Sequence, residues 1–280
     1  MPAPASPRTQ AVVARLRAAG CVFAEEEALL LRSAAGSPAD LAAMVDRRTS
    51  GVPLEHVLGW AEFCGLRIAV QPGVFVPRRR TELLVREAAA LARRAGDRLA
   101  PAPAVVVDLC CGTGAVGAAL VAVVDRVDLY AVDVDPAAVL CARRNVAGGR
   151  VYEGDLYEPL PAALRGRVDV LVANAPYVPT EAVGLLPPEA RIHEPRRALD
   201  GGGDGLDVVR RVIAAAPQWL APGGHLLIET SERQAPRVAD AIVRAGLIPR
   251  LVTCDDLNAT VVIGARARPG GRRQAVEASR

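Results

Sequence analysis

From Pro103 onward the apolar residues come in short runs separated by stretches of helical spacing: "AVVVDLCCGTGAVGAALVAVV", "VDLYAVDVDPAAVLCARRNV", "GRVYEGDL", "VDVLVANAPY" and "GGHLLIET". Runs this short and this continuously apolar predict strands covered on both faces. Their alternation with helices predicts an α/β protein with a doubly wound, mostly parallel sheet. Upstream the pattern changes. "RTQAVVARLRAAG", "EEEALLLRSA" and "PADLAAMVDRRTSG" carry apolar positions at helical spacing and predict a small helical module. "EHVLGWAEFCGLRIAVQPGVFVP" mixes aromatic and β-branched residues with Gly and Pro and predicts a hairpin-like connector, and "TELLVREAAALARRAG" begins a helix at Thr81. The expected division is an N-terminal helical domain over 1–58, a connector over 59–80, the main domain over 81–265 and a polar, disordered tail over 266–280. No internal repeat is evident.

The first strand of the main domain runs into a glycine turn. In "VVVDLCCGTGAVGAAL", Gly112, Gly114 and Gly117 satisfy G-x-G-x-x-G, and Asp133 ends the next strand about twenty residues on. Taken alone, this fits a dinucleotide site with an acid on the ribose. Asp108, standing before the turn in the order D-L-C-C-G-T-G, matches instead the D/E-x-G-x-G-x-G motif of S-adenosylmethionine (SAM)-dependent methyltransferases. That cofactor is cationic and has no phosphate, and a carboxylate favours it. Asp133 would take its ribose hydroxyls and Asp155, in "EGDL", would sit near the adenine edge. The plainer alternative is that Asp133 and Asp155 cap helices.

Composition trims the possibilities. Of 280 residues, 51% are apolar, enough for a sizeable core, and the formal charge is only +3, which implies no wide phosphate-tracking face. The chain has no lysine, so all 34 basic residues are arginines. Lysine-dependent P-loop and Schiff-base chemistry is excluded. The six cysteines, Cys21, Cys64, Cys110, Cys111, Cys141 and Cys254, form no C-x-x-C pair and predict reduced thiols in a cytoplasmic protein. Cys110 and Cys111 suit a tight turn better than redox or metal chemistry. No apolar run reaches the roughly 18 residues that a membrane helix needs, and the start "MPAPASPRTQ" does not resemble a secretion signal.

The fourth strand ends in "VANAPY". An amide nitrogen is a weak nucleophile because its lone pair is delocalised. To accept a methyl group it must be held in line, with its two hydrogens taken by fixed oxygens. The Asn174 side chain and the Ala175 carbonyl supply such oxygens, Pro176 holds Ala175 extended, and Tyr177 offers a flat wall. The alternative is an ordinary Pro turn with a buried Tyr.

Together these segments resemble the HemK/PrmC family of protein-glutamine N5-methyltransferases, which modify peptide chain release factors. The resemblance runs from about Gly51 to about Gly264 and includes "GVPLEHVLGWAEFCGLRIAVQPGVFVPRRRTELLV", the glycine turn, "AVDVDPAAVLCARRN", "GDL", "NAPY" and "HEPRRALDGGGDGL". It implies the class I SAM-dependent methyltransferase fold and a glutamine-bearing protein substrate docked with help from the N-terminal helices. It also implies an N-P-P-Y role for Asn174, Ala175, Pro176 and Tyr177. The cofactor would rest on Asp108, Cys110, Gly112, Thr113, Gly114, Asp133, Asp155, Leu156 and Asn174, without metal or covalent intermediate. The expected enzyme is monomeric and binds no membrane or nucleic acid. Three positions depart from the family: Ala175 replaces the first Pro of the tetrad, Cys110 a glycine, and Arg79 a Pro.

Other readings stay open at this level. N-P-P-Y-like tetrads also serve adenine-N6 methyltransferases, the glycine turn alone fits an NAD-dependent oxidoreductase, and Ala175 makes an inactive regulatory module conceivable. His193 and Glu194 are expected beside the crevice in a structural or docking role, and His56 and His225 in packing. Arg78, Arg79 and Arg80 either border the cofactor site or are solvated.

Overall fold

A computed structural model describes residues 7–99 and 101–268. Most of the expected tail, residues 269–280, lies outside the described residues. Seven strands make the central sheet: β3 (Ala104–Leu109), β4 (Val127–Asp133), β5 (Arg150–Glu153), β6 (Val168–Ala173), β7 (Leu220–Thr230), β8 (Ile248–Cys254) and β9 (Ala259–Ala265). Their order is β5-β4-β3-β6-β7-β9-β8, and the first five are parallel. β9 runs antiparallel between β7 and β8. The apolar alternation did not single out β8 and β9. Pro249 breaks the pattern of β8, and this edge strand leaves most of its side chains exposed.

β6 shows why the central strands read as unbroken apolar runs. Successive side chains point to opposite faces. Leu171 and Ala173 pack with α9 (Asp207–Trp219) and α10 (Ala235–Arg244), while Val170 and Val172 pack with α5 (Glu82–Leu99) and α6 (Ala115–Val123). All six residues are buried. The remaining crossover helix is α7 (Pro136–Asn145), between β4 and β5.

The chain ahead of the sheet forms α1 (Pro7–Ala18), α2 (Ala24–Ala34), α3 (Pro38–Thr49) and α4 (Leu54–Leu58), gathered around Leu16, Leu31, Val45 and Val57. Next comes a hairpin, β1 (Trp60–Phe63) and β2 (Leu66–Ala69), closed by Cys64 and Gly65 at φ 50 and 74. Positive φ at both loop residues matches the twist of the flanking strands. Asn145, the last residue of α7, holds this hairpin against the glycine turn. Its Oδ1 accepts from Ala69 N at 2.8 Å, and its Nδ2 donates to Ala69 O at 2.9 Å and Thr113 O at 2.8 Å.

A buried arginine joins the N-terminal helices to the insert between β6 and α9. Arg48 donates to both oxygens of Glu27, at 2.6 and 3.1 Å, and to Glu189 at 2.6 Å on α8 (Pro188–His193). All six cysteines are unpaired. No helix among the described residues is long and apolar enough to cross a membrane.

Removing Arg48 strands the Glu27 carboxylate in a buried setting. Arg48→Ala is expected to cost roughly 3 kcal/mol by urea denaturation, and the paired change Glu27→Leu with Arg48→Met to recover most of it, because an apolar pair leaves no buried charge. Equal losses in the two variants would show that the ion pair is not what the helices depend on.

Candidate active site

Strand register assembles the site. β3 pairs with β4 so that Leu109 lies beside Val132, and with β6 so that Leu109 lies beside Ala173. β4 sets Asp133 beside Glu153, and β6 sets Ala173 beside Ile228. One residue further along, the carboxyl edge therefore presents Gly154, Asp133, Cys110, Asn174 and Glu229 in a row. β3 is also where the chain reverses the direction in which it adds strands, the place where open α/β sheets bind ligands.

The glycine turn is tight because it must pass under α7. A Cβ on Gly114, at φ 75, would stand 2.8 Å from Val146 Cγ2 and 3.0 Å from Ala142 Cβ. On Gly117 it would meet Leu129 Cδ2 at 2.9 Å, which is why α6 lies so close to the sheet. Asp108 is sunk beneath the turn, 2% exposed, with Oδ2 accepting from Gly117 N at 3.1 Å. Burial, reinforced by the nearby charge of Asp133 and opposed by the Gly117 N–H, pushes its pKa up to about 7. Asp108 does not line the cavity above the turn, and neither do Thr113 and Gly114. They shape the turn from below.

That cavity has a volume of about 710 Å³. Cys110, Gly112, Asp133, Asp155 and Leu156 border one end, and Asn174 to Tyr177 border the other. Asp133 accepts from Gly112 N at 2.8 Å through Oδ2 and from Asp135 N at 2.9 Å through Oδ1. A carboxylate offers about four acceptor positions, and with Val134 N also bonded to it one remains for a ligand. The cap of α7 is Asp135, which accepts from Ala137 N at 3.0 Å, and not Asp133. Asp155 opens a turn and pairs with Arg211 at 2.5 Å.

At the other end Asn174 is half-buried, and its Nδ2 lies 3.3 Å from Thr81 Oγ1. The Tyr177 hydroxyl donates to Glu229 Oε1 at 3.4 Å, and Tyr177 O accepts from Gln234 Nε2 at 2.9 Å. Burial and then the Glu229 charge push the Tyr177 phenol up to about 12, so it stays protonated at neutral pH. Burial also raises the Glu229 carboxyl, against the pull of Thr81, Arg80 and the Tyr177 hydroxyl.

The connector and the β6–α9 insert roof the cavity. Arg78 grips both oxygens of Glu194, at 2.6 and 2.7 Å, and Val76 N donates to the same carboxylate at 3.2 Å. Arg78, Arg80 and Glu194 line the space, whereas Arg79 and His193 do not. His56 is buried with Nε2 2.9 Å from Val74 O, and burial lowers its pKa, consistent with packing. His225 lies half-buried on β7. Sequence reasoning missed Thr81 and Glu229. The signal for Glu229 was present in "GGHLLIET", an acid closing an apolar strand at the ligand edge.

The donor set fits SAM better than a dinucleotide. Pyrophosphate needs free backbone N–H groups at the turn. Here Gly112 N is engaged by Asp133 and Gly114 N by Cys111 O at 2.7 Å. Carboxylate acceptors, suited to hydroxyl groups and a cation, face the cavity instead.

The sheet order and this crevice define a class I SAM-dependent methyltransferase. Residues 66–206 match the family described as methyltransferase small domain. A methyltransferase from Pyrococcus furiosus shares the fold, with a TM-score of 0.52 at 15% identity over 72% of this chain and 90% of that one. The release factor glutamine methyltransferase of Geobacter sulfurreducens is 40% identical over 82% of this chain and 80% of its own length. A 4-amino-L-phenylalanine/4-methylamino-L-phenylalanine methyltransferase of Streptomyces pristinaespiralis is 38% identical over 72% and 68%. The chain belongs to the release factor glutamine methyltransferase family.

Asp108 yields a test of the turn. Its carboxyl keeps a proton to about pH 7 in the folded chain, whereas the unfolded chain releases it near pH 4. Wild-type stability from this group therefore falls as pH rises between those values. Asp108→Asn has no such titration. Its melting temperature relative to wild type is expected to shift in the variant's favour between about pH 5 and about pH 8. A pH-independent difference in thermal unfolding would contradict the buried placement.

Proposed function

We propose that the cavity transfers a methyl group from SAM to the side-chain amide nitrogen, N5, of a glutamine in a peptide chain release factor. One observation carries this reading. Asn174 and Ala175 stand at the carboxyl end of β6, on the wall of the same cavity that Asp133 borders, with the Tyr177 ring beside them.

The residues present divide the work. Asp133 keeps an acceptor position for the ribose hydroxyls, while Cys110, Gly112 and Leu156 shape the floor and Asp155 the far edge. When bound, SAM supplies an electrophilic methyl carbon on a sulfonium. Asn174 Oδ1 and the Ala175 carbonyl accept the two N–H groups of the glutamine amide, and the Tyr177 ring supports its flat face. Holding both hydrogens turns the nitrogen toward the donor and lowers the cost of placing it in line. The Tyr177 phenol is too basic to give up its proton at neutral pH, so it orients rather than abstracts. The proton lost from the methylated amide leaves to water.

A protein substrate suits a roof that includes Pro53 and Glu55 from the N-terminal segment and α8 from the insert. The N-terminal helices, tied to α8 through Arg48, provide its docking surface. Six unpaired cysteines suit the cytoplasm. We read the enzyme as a monomer that binds no nucleic acid, in keeping with its net charge of +3. The relative that methylates an aryl amine marks the competing substrate class, since an aniline also presents a flat nitrogen with two hydrogens.

Incubation with SAM and a release factor carrying Gly-Gly-Gln is expected to add one methyl to the factor by intact mass, with 4-amino-L-phenylalanine left unmodified. Asn174→Ala should lower the rate by at least about a hundredfold, the scale of losing a fixed transition-state contact. Methylation of the aryl amine with an unmodified factor would reverse the assignment. Asp133→Ala should weaken binding of the demethylated cofactor by about tenfold or more in calorimetry, because a charge-assisted hydrogen bond is removed. Affinity equal to wild type would remove Asp133 from the cofactor site.

A further inference from the structure

A carboxamide has nearly the same shape either way round, but its two ends have opposite chemistry: turned over, an acceptor becomes a donor. A site that uses Asn174 to accept an N–H must therefore decide which end faces the cavity. Thr81, the contact at 3.3 Å, cannot decide this alone. A hydroxyl has one hydrogen and two lone pairs and suits either face of an amide.

Glu229 removes the ambiguity. It follows Ile228, which pairs with Ala173, so it stands beside Asn174 at the sheet edge. It is 1% exposed and surrounded by donors. The Tyr177 hydroxyl lies 3.4 Å and Arg80 Nε 3.5 Å from Oε1, and the Thr81 hydroxyl also favours its ionised form. Beside the Arg80 guanidinium, Glu229 in its carboxylate form has only lone pairs to offer and no hydrogen to give. The hydrogen of Thr81 is drawn to Glu229, its lone pair is left for Asn174, and only the NH2 end of Asn174 can meet a lone pair. Oδ1 is then the end left over for the substrate.

Glu229 is an expensive residue to keep here. Its Oε2 is buried without a hydrogen bond of normal geometry, and Leu227 and Ile228 before it are fully buried apolar residues. Packing does not call for a carboxylate at this position. The same side chain anchors the Tyr177 hydroxyl, so one buried acid sets both polar ends of the tetrad. Thr81 reaches it from the 3-10 turn Arg79–Thr81 that opens α5 and is itself 3% exposed.

We infer that Glu229 and Thr81 are positioning residues: an acceptor-only carboxylate orders the Thr81 hydroxyl, which in turn locks the Asn174 amide with its oxygen toward the substrate nitrogen. The inference rests on the proposed role of Asn174 as the acceptor of the glutamine N–H.

The test uses full-length wild type, Thr81→Val, Thr81→Ser, Glu229→Gln and the double variant Thr81→Val/Glu229→Gln, with SAM and the release factor. Thr81→Val is expected to lower kcat about tenfold with the KM for SAM unchanged, and Thr81→Ser to restore it to within about twofold, because only the hydroxyl matters. Glu229→Gln, whose amide can give Thr81 a hydrogen, should fall similarly, and the double variant should be no more than about twofold below the worse single variant, as for residues in one chain of contacts. In the free protein, nitrogen NMR should show the Asn174 side-chain NH2 protected from exchange in wild type and Thr81→Ser but not in Thr81→Val. Wild-type kcat in Thr81→Val, multiplicative losses in the double variant, or unchanged exchange would each overturn the relay. If Glu229→Gln does not fold, the Thr81 pair still decides. If wild type itself fails to methylate the factor, the proposed function falls, while the exchange measurement still tests the orientation.

Discussion

The parallel pairing of β3 with β6 is the constraint on which the site depends. These strands are not consecutive: the chain adds β4 and β5 on one side of β3 before β6 returns to the other. Their register sets Leu109 against Ala173, and so puts the glycine turn next to the tetrad. A slip of one residue would send every side chain of β6 to the opposite face. With Leu171 and Val172 closely packed into cores on opposite faces, such a slip would exchange side chains of different shape between them and is costly in packing. Close packing on both faces thus fixes the distance between the cofactor end and the amide end of one cavity.

Around that frame, carboxylates are graded by depth. Asp108, under the turn, tends toward its neutral form and works through Gly117. Asp133, at the surface of the turn, orders the backbone of Gly112 and Asp135 and still has a lone pair to offer. Engaging Gly112 N in this way turns a potential anion site into an acceptor site, the electrostatic difference between a pocket for pyrophosphate and one for a sulfonium nucleoside. Glu229, near the tetrad, takes the Tyr177 hydroxyl and faces Arg80 through one oxygen.

The three departures from the family pattern sit differently in the structure. Cys110 occupies φ 56, a region that favours glycine and costs other residues about 1–2 kcal/mol. Leu156, also at the cavity, lies at φ 50. Strain of this kind collects where the backbone must shape a ligand. Ala175 is 1% exposed and packs in the core beside Leu206 and Ile228, so the smaller side chain leaves the loop seated. Arg79 points to solvent and lies off the cavity, so the replaced proline bears on the turn before α5 rather than on the ligand.

The sequence by itself determined the class of fold, because strands covered on both faces must be apolar throughout and the alternation with helices leaves few topologies. It also located the glycine turn and "NAPY" at strand ends, since each motif follows its strand directly. The antiparallel strands β8 and β9 escaped it; for β8, edge exposure and Pro249 blur the period, whereas β9 is a buried inner strand with a short apolar run. Only the tertiary structure decided which of the acids faces the cavity. Asp108 and Asp133 are alike in one dimension, yet burial separates their chemistry. Thr81, Asn174 and Glu229 are far apart along the chain, and their contact is a product of strand order and register, which no local pattern encodes.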